Sequence, residues 1–185
     1  MKINCSFAIL LVGCTLAANA ENFIQNSSFE APLENQAIPH WDSAIYLPGV
    51  ISDQKAVDGT HSLLMQGNGE KHIGMRQKID VRKLQNGGKL LITTFVFVEN
   101  YEQGVLKPLH FILKADGKVS YPVGFTFQKG RNPMNEWFKA SAVLDLDSYE
   151  KIDSLDIFTI GWDWNGKHFK GKYYLDDIRA ELLEP

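Results

Sequence analysis

Two tryptophans stand two residues apart in IGWDWNGKHFKG, at Trp162 and Trp164. On a β-strand such a pair shares one face at a spacing of about 6.6–7 Å. Two flat rings at that spacing suit stacking against consecutive sugar rings, with a few polar groups fixing orientation. The same parity runs back through Phe158 and Ile160, so plain core is the competing reading of the pair.

A second anomaly lies in KYYLDDIRAE, Lys172 to Glu181. Strand alternation places Tyr174, Asp176, Ile178, Ala180 and Leu182 on one face, which looks like the core face. An ionised carboxylate pointing inward costs several kcal/mol unless it is paired or bound to a metal. Three partners fit Asp176: a hard cation such as calcium, which takes six to eight oxygens; an arginine such as Arg76; or water at a wet rim.

Other chemistries lack a pattern. The five histidines show no HxH or HExxH spacing, no GxSxG elbow occurs, and GNGEKHIG has neither a dinucleotide fingerprint nor a phosphate-loop lysine. The 22 acidic residues could include a glycosidase acid and base, but no pair stands out. The net charge of −3, with no basic cluster, argues against a nucleic-acid partner.

The elements that would position these residues are strands. Leu90 to Val98 (LLITTFVFV) is β-branched and apolar on both faces, as a central strand would be. YPVGFTF alternates with Tyr121, Val123, Phe125 and Phe127 on one face. FKASAVLDL turns Phe138, Ala140, Ala142, Leu144 and Leu146 inward. LHFIL and LDIFTIGW add further strands, and only Val81 to Gln85 suits a helical turn. Turn residues recur between the runs, at Asp58, Asn86, Ala115, Arg131 and Asn165. Many short strands at regular spacing predict an all-β fold, an antiparallel β-sandwich or jelly roll. With 44% hydrophobic and 22% charged residues, the composition is that of one globular domain.

The first 20 residues read differently. A lysine, an apolar run from Phe7 to Val12 and the small-residue triplet Ala18-Asn19-Ala20 form a secretory signal peptide, cut before Glu21. The run is too short to span a bilayer. LVGC resembles a lipobox, which would instead place a lipid anchor on Cys14. Both cysteines, Cys5 and Cys14, lie in this leader, so the mature domain, 21–185, has no thiol for a disulfide or a metal.

Four stretches, in order, carry a resemblance: IQNSSFE; IPHWDSA with AVDGTHSLLMQGN; NEWFKASAVLDL; and KYYLDDIRAEL. Together they resemble carbohydrate-binding modules of the galactose-binding-like jelly-roll fold, the cellulose- and xylan-binding type. The resemblance implies a structural calcium held by Glu30, by Asp176 and by a turn carbonyl at Thr60. It implies that Trp41 and Trp137 are core. Tyr46 and His72 would line a concave groove, with Arg76 and Gln77 supplying hydrogen bonds. The chain reads as a lone module, unlike modules attached to a catalytic domain.

The expectation is therefore an exported, secreted or periplasmic, non-catalytic domain that binds a polysaccharide, with Trp162, Trp164, Tyr46, His72 and Arg76 at the ligand. An envelope module that binds a protein partner on the same scaffold is one rival. A jelly-roll polysaccharide lyase or hydrolase is the other.

Overall fold

The computed structural model describes residues 21–43, 46–162 and 166–183; the expected leader and Trp164 lie outside them. The described strands are β1 (Val50–Ser52), β2 (Ser62–Asn68), β3 (Ile73–Ile79), β4 (Lys89–Gln103), β5 (Val105–Ala115), β6 (Lys118–Ser120), β7 (Trp137–Asp145), β8 (Ile152–Trp162) and β9 (Lys170–Leu183). They form a five-stranded sheet, β1-β2-β9-β4-β7, and a four-stranded sheet, β3-β8-β5-β6. All pairings between these strands are antiparallel. The expected β-sandwich is what the chain adopts. The helical turn falls at Val81–Leu84, a 3-10 turn whose Asp80 side chain accepts from the Arg82 N–H. No helix among the described residues is long and apolar enough to cross a membrane.

The two sheets enclose one apolar core. Leu90, Ile92, Val96 and Val98 of β4 meet Phe111 and Leu113 of β5 and Leu155 and Ile157 of β8 within it. Two polar groups in this interior bond each other: Thr159 Oγ1 lies 3.2 Å from the Tyr173 hydroxyl, joining the sheets. β7 keeps its expected alternation, with Ala140 and Leu144 buried. That same alternation puts Trp137 outside. It is only half-buried and meets Phe97 edge-on at 5.6 Å on the outer face of the five-stranded sheet. The expectation that Trp137 is core is thus corrected, whereas Trp41 is buried against Phe29, with ring centroids 5.6 Å apart.

β9 corrects a larger expectation. Thr93 of β4 pairs with Arg179 and Phe95 with Asp176, so two residues of β9 face one of β4. This is a bulge, and Asp177 sits in it with φ 47°, a left-handed conformation that aspartate tolerates better than most residues. The extra residue reverses the parity. Tyr173 and Leu175 before the bulge, and Ile178 and Ala180 after it, face the core. Tyr174 and Asp176 point the other way, yet both are fully buried. What covers them is the loop between β1 and β2.

YPVGFTF is not a regular strand. It runs as an extended strap along β5, held by Phe125 N–H to Leu109 O and Phe127 N–H to Leu106 O, both 2.9 Å. Phe127 is buried, but Tyr121 and Val123 are 66% and 88% exposed. The expected common face therefore ends at Phe125. Gly124 makes the close approach possible, because a Cβ there would lie 2.0 Å from Leu109 O.

Candidate functional site

The outer face of the four-stranded sheet is built in rows. Register places Arg76, Phe158 and His110 side by side, and Gly74, Ile160 and Lys107 in the next row. Phe158 and Ile160 are 5% and 2% exposed, although they point away from the main core. They form a floor, and flanking segments roof it. Tyr46 closes one side by lying over Gly74, where a Cβ would come within 2.8 Å of the tyrosine ring and 3.0 Å of Ile160. The strap closes the other side.

Between them runs a cleft of about 560 Å³, within the usual size for a ligand pocket. Trp162, Ile160, Val105, Lys107 and His110 line one side and Tyr121 to Gly124 the other. Trp162, half-buried, stacks on His72 at 5.0 Å with 23° between planes. Tyr46 meets the same His72 edge-on at 6.3 Å. His168 meets it at 4.4 Å, nearly perpendicular. Three expected site residues, Tyr46, His72 and Trp162, are therefore brought into one chain of contacts at the end of the cleft.

Arg76 lies beside that chain but is not available to Asp176, as the ion-pair reading required. Its Nη2 and Nε donate to Asp42 Oδ2 at 2.7 and 3.2 Å, and its guanidinium lies 6.0 Å over Phe158. The hydrogen bond to Asp42 raises its pKa further. Gln77 does not reach the cleft, because its side chain is buried and bonds both N–H and C=O of Gln25. Burial raises the Tyr46 hydroxyl above its ordinary value.

His110, Tyr121 and Lys107 were missed from the sequence. His110 and Tyr121 lie nearly parallel, 6.4 Å apart. Burial, with Lys107 nearby, pushes the His110 pKa down to about 4, so near neutrality it is an uncharged ring with one donor and one acceptor. The signal was present: if Leu109, Phe111 and Leu113 face inward, His110 between them faces out.

The Glu30 and Asp176 carboxylates converge on one loop. Asp176 Oδ2 accepts from Val57 N–H at 2.6 Å and Asp58 N–H at 2.9 Å, and Oδ1 accepts from Asp177 N–H at 2.7 Å. Burial pushes its pKa up against these three donors. Glu30 Oε1 accepts from Thr60 N–H at 2.7 Å and His61 N–H at 2.6 Å. Its Oε2 meets Thr60 Oγ1 at 3.0 Å and His61 Nδ1 at 2.8 Å. The His61 contact, with the backbone N–H groups, holds the Glu30 pKa down to about 2.

Each carboxylate thus has one oxygen fixed by two backbone amides, while the other has a single amide or rotatable side chains as partners. Ser62 Oγ, buried at the start of β2, has no hydrogen-bond partner among the described residues. Both carboxylates and the Ser62 hydroxyl are hard oxygens, the ligand type that calcium takes. Thr60 reaches Glu30 through its N–H and hydroxyl.

No family model matches the chain, and no curated protein matches it in sequence. Solved structures do match in fold. The CBM22-1 xylan-binding domain of Paenibacillus barcinonensis Xyn10C is 17% identical, with a TM-score of 0.58 over 90% of this chain and 97% of that one. The C-terminal family 22 carbohydrate-binding module of Clostridium thermocellum Xyn10B is 14% identical, with a TM-score of 0.58 over 84% and 91%. TmCBM61, solved with β-1,4-galactotriose, is 12% identical, with a TM-score of 0.56 over 89% and 100%. At these identities the shared property is the fold: this chain has the β-sandwich of carbohydrate-binding modules.

Proposed function

We propose that the chain is a non-catalytic glycan-binding module whose ligand lies in the cleft between β5, β8 and the strap. The observation that carries this reading is Trp162, which lines the cleft while His72 backs its ring. An aromatic ring held rigid beside hydrogen-bonding side chains matches a sugar, whose faces are apolar and whose edges are hydroxyls. Lys107 and His110 can supply those polar contacts. Similar solved domains bind xylan or hold β-1,4-galactotriose, so neutral β-1,4-linked chains are the first ligands to test.

His110 weighs against the lyase or hydrolase reading. A base whose conjugate acid has a pKa of about 4 accepts protons poorly near neutrality. A protein partner is the second reading, favoured by the exposed Val119, Tyr121 and Val123 beside the cleft. Export rests on the leader sequence alone, and calcium supports the Val57–His61 loop in this reading without touching the ligand.

The test is calorimetric titration of the mature domain, 21–185, with soluble xylan and β-1,4-galactan fragments. Saturable binding that Trp162→Ala abolishes while the circular dichroism stays unchanged supports the proposal. Binding that survives in a folded Trp162→Ala variant moves the site elsewhere. Binding to neither polysaccharide by the wild type gives way to the protein-partner reading.

A further inference from the structure

Outside the cleft proper, on the far side of Trp162, lies a smaller hollow lined by Tyr46, Leu47, Glu70, Lys71, His72 and His168. Two histidines meet there through the same ring atom: His168 Nδ1 lies 3.3 Å from His72 Nδ1. In tetrahedral zinc sites with Zn–N bonds of about 2.0–2.1 Å, neighbouring ligand nitrogens are about 3.3–3.4 Å apart. Square-planar ligands at the same bond length would stand closer, at about 2.8–3.0 Å. The observed gap is the tetrahedral edge.

The backbones carrying these rings are fixed by their surroundings. His72 O accepts from Leu47 N–H at 2.9 Å, and His168 O accepts from Gln103 Nε2 at 3.0 Å. Gly69 N–H donates to Phe169 O at 3.1 Å, tying the β2–β3 turn to the segment before β9. The stacked Trp162 and perpendicular rings limit how far either imidazole turns. Pre-placed ligands lose little freedom on binding a metal, which favours affinity.

We propose that His72 and His168 form a two-histidine site for a divalent transition metal, with zinc the best fit. The neutral pair shares one proton between its Nδ1 atoms. On binding, the ring that carries its proton on Nδ1 shifts it to its own Nε2 through solvent, so that both Nδ1 lone pairs donate to the cation with no net loss of a proton from the pair. Among the described residues no group of three or more histidine, cysteine, aspartate or glutamate side chains converges on a metal. A site with two histidine ligands of its own binds with modest affinity.

The inference does not depend on the glycan reading, since the ion can be titrated alone. Tag-free protein is titrated with Zn²⁺ in a non-chelating buffer by calorimetry, and with Co²⁺ by visible absorption and tryptophan fluorescence. One equivalent of Zn²⁺ should bind, more tightly as pH rises from 6 to 8. Co²⁺ should give the intense visible band of a tetrahedral ion and quench the fluorescence of Trp162. His72→Gln and His168→Gln should each weaken Zn²⁺ binding at least tenfold with an unchanged circular dichroism spectrum. If either variant loses its fold, the cobalt band of the other decides. No saturable binding by the wild type overturns the proposal, as does equal affinity in a folded variant.

Discussion

Each sheet carries residues that point away from the common core and are nevertheless buried, and the two sheets cover them differently. On the four-stranded sheet, Phe158 and Ile160 are roofed only in part, by Tyr46 and the strap, and a cleft remains. On the five-stranded sheet, Tyr174 and Asp176 are sealed by the β1–β2 loop, with Lys55 Nζ 4.2 Å above the neighbouring Phe97 ring. The sealed side is closed by side-chain carboxylates that take the loop's amides; on the open side the strap is tied to β5 by backbone hydrogen bonds and only apolar contact covers the floor. Carboxylate anchors demand every donor at once, because a buried donor without an acceptor is costly. Apolar roofing tolerates a gap, and the gap becomes a site.

The comparison breaks most readily at Asp176. Asp176→Ala leaves the part-buried Val57, Asp58 and Asp177 N–H groups without their acceptor, and an orphaned donor costs about 1–3 kcal/mol where it stays out of water. Chemical denaturation should show a loss of at least about 3 kcal/mol, on the scale of the larger single-residue effects. Glycan affinity measured below the new midpoint should stay within twofold, because the cleft lies on the other sheet. A large loss of affinity there would show the two faces to be coupled.

Calcium sharpens the same side. Excess cation at a hundredfold over its Kd should stabilise the fold by about 2.7 kcal/mol, seen as a higher melting temperature that a chelator reverses. Asp176→Ala should erase the response. A melting temperature indifferent to calcium and chelator would assign the loop to its hydrogen bonds alone.

On the open side, Trp162→Ala should cost about 2 kcal/mol of glycan binding, as the loss of a central aromatic does. The stability change should be smaller than at Asp176, since the ring is half-buried. Competition calorimetry and a denaturation curve on the same variant separate the two quantities.

Acid distinguishes the faces by the smallest effect. His110 has a folded pKa of about 4, below its ordinary 6.5; its contribution is present above pH 6.5 and is lost as pH falls from 6.5 towards 4. Glu30 is lowered from 4.5 to about 2, so its contribution is present above pH 4.5 and is lost as pH falls from 4.5 towards 2. The Glu30 side chain is 36% exposed, and solvent screening keeps that limb shallow. A pH series of melting temperatures should show both limbs. His110→Gln should remove the upper one and Glu30→Gln the lower, and interchanged limbs would refute the assignment.

The sandwich was legible because strand character is local: alternation in β7, and runs of β-branched and aromatic residues in β4 and β8. Asp176 was legible as an anomaly but not as a direction. One extra residue at Asp177 shifts the phase of everything before it, and periodicity measured across a bulge averages the two halves. Trp137 was readable from the same alternation that placed Phe138 and Ala140. The strap was misread because YPVGFTF has a strand's pattern without a strand's pairing: Pro122 has no N–H to give, and Gly124 serves a close approach to β5. His168 had no signal at all. It enters the site only because the segment before β9 folds back beside His72, a contact between residues 96 positions apart.

The order of strands has a consequence for how the molecule comes into being. β9 lies between β2 and β4, so the middle of the five-stranded sheet is supplied by the most C-terminal of the described strands. The loop at Val57 and Asp58 is closed by Asp176, up to 119 residues further along. Contacts that distant make folding slow. While ribosomes are still adding residues before β9, β2 and β4 have unpaired edges facing an empty slot and the β1–β2 loop has no anchor. A nascent chain in that state is open to proteases at this loop and to pairing with other chains along those edges. Folding of this sheet therefore waits until residues 170–183 reach the slot.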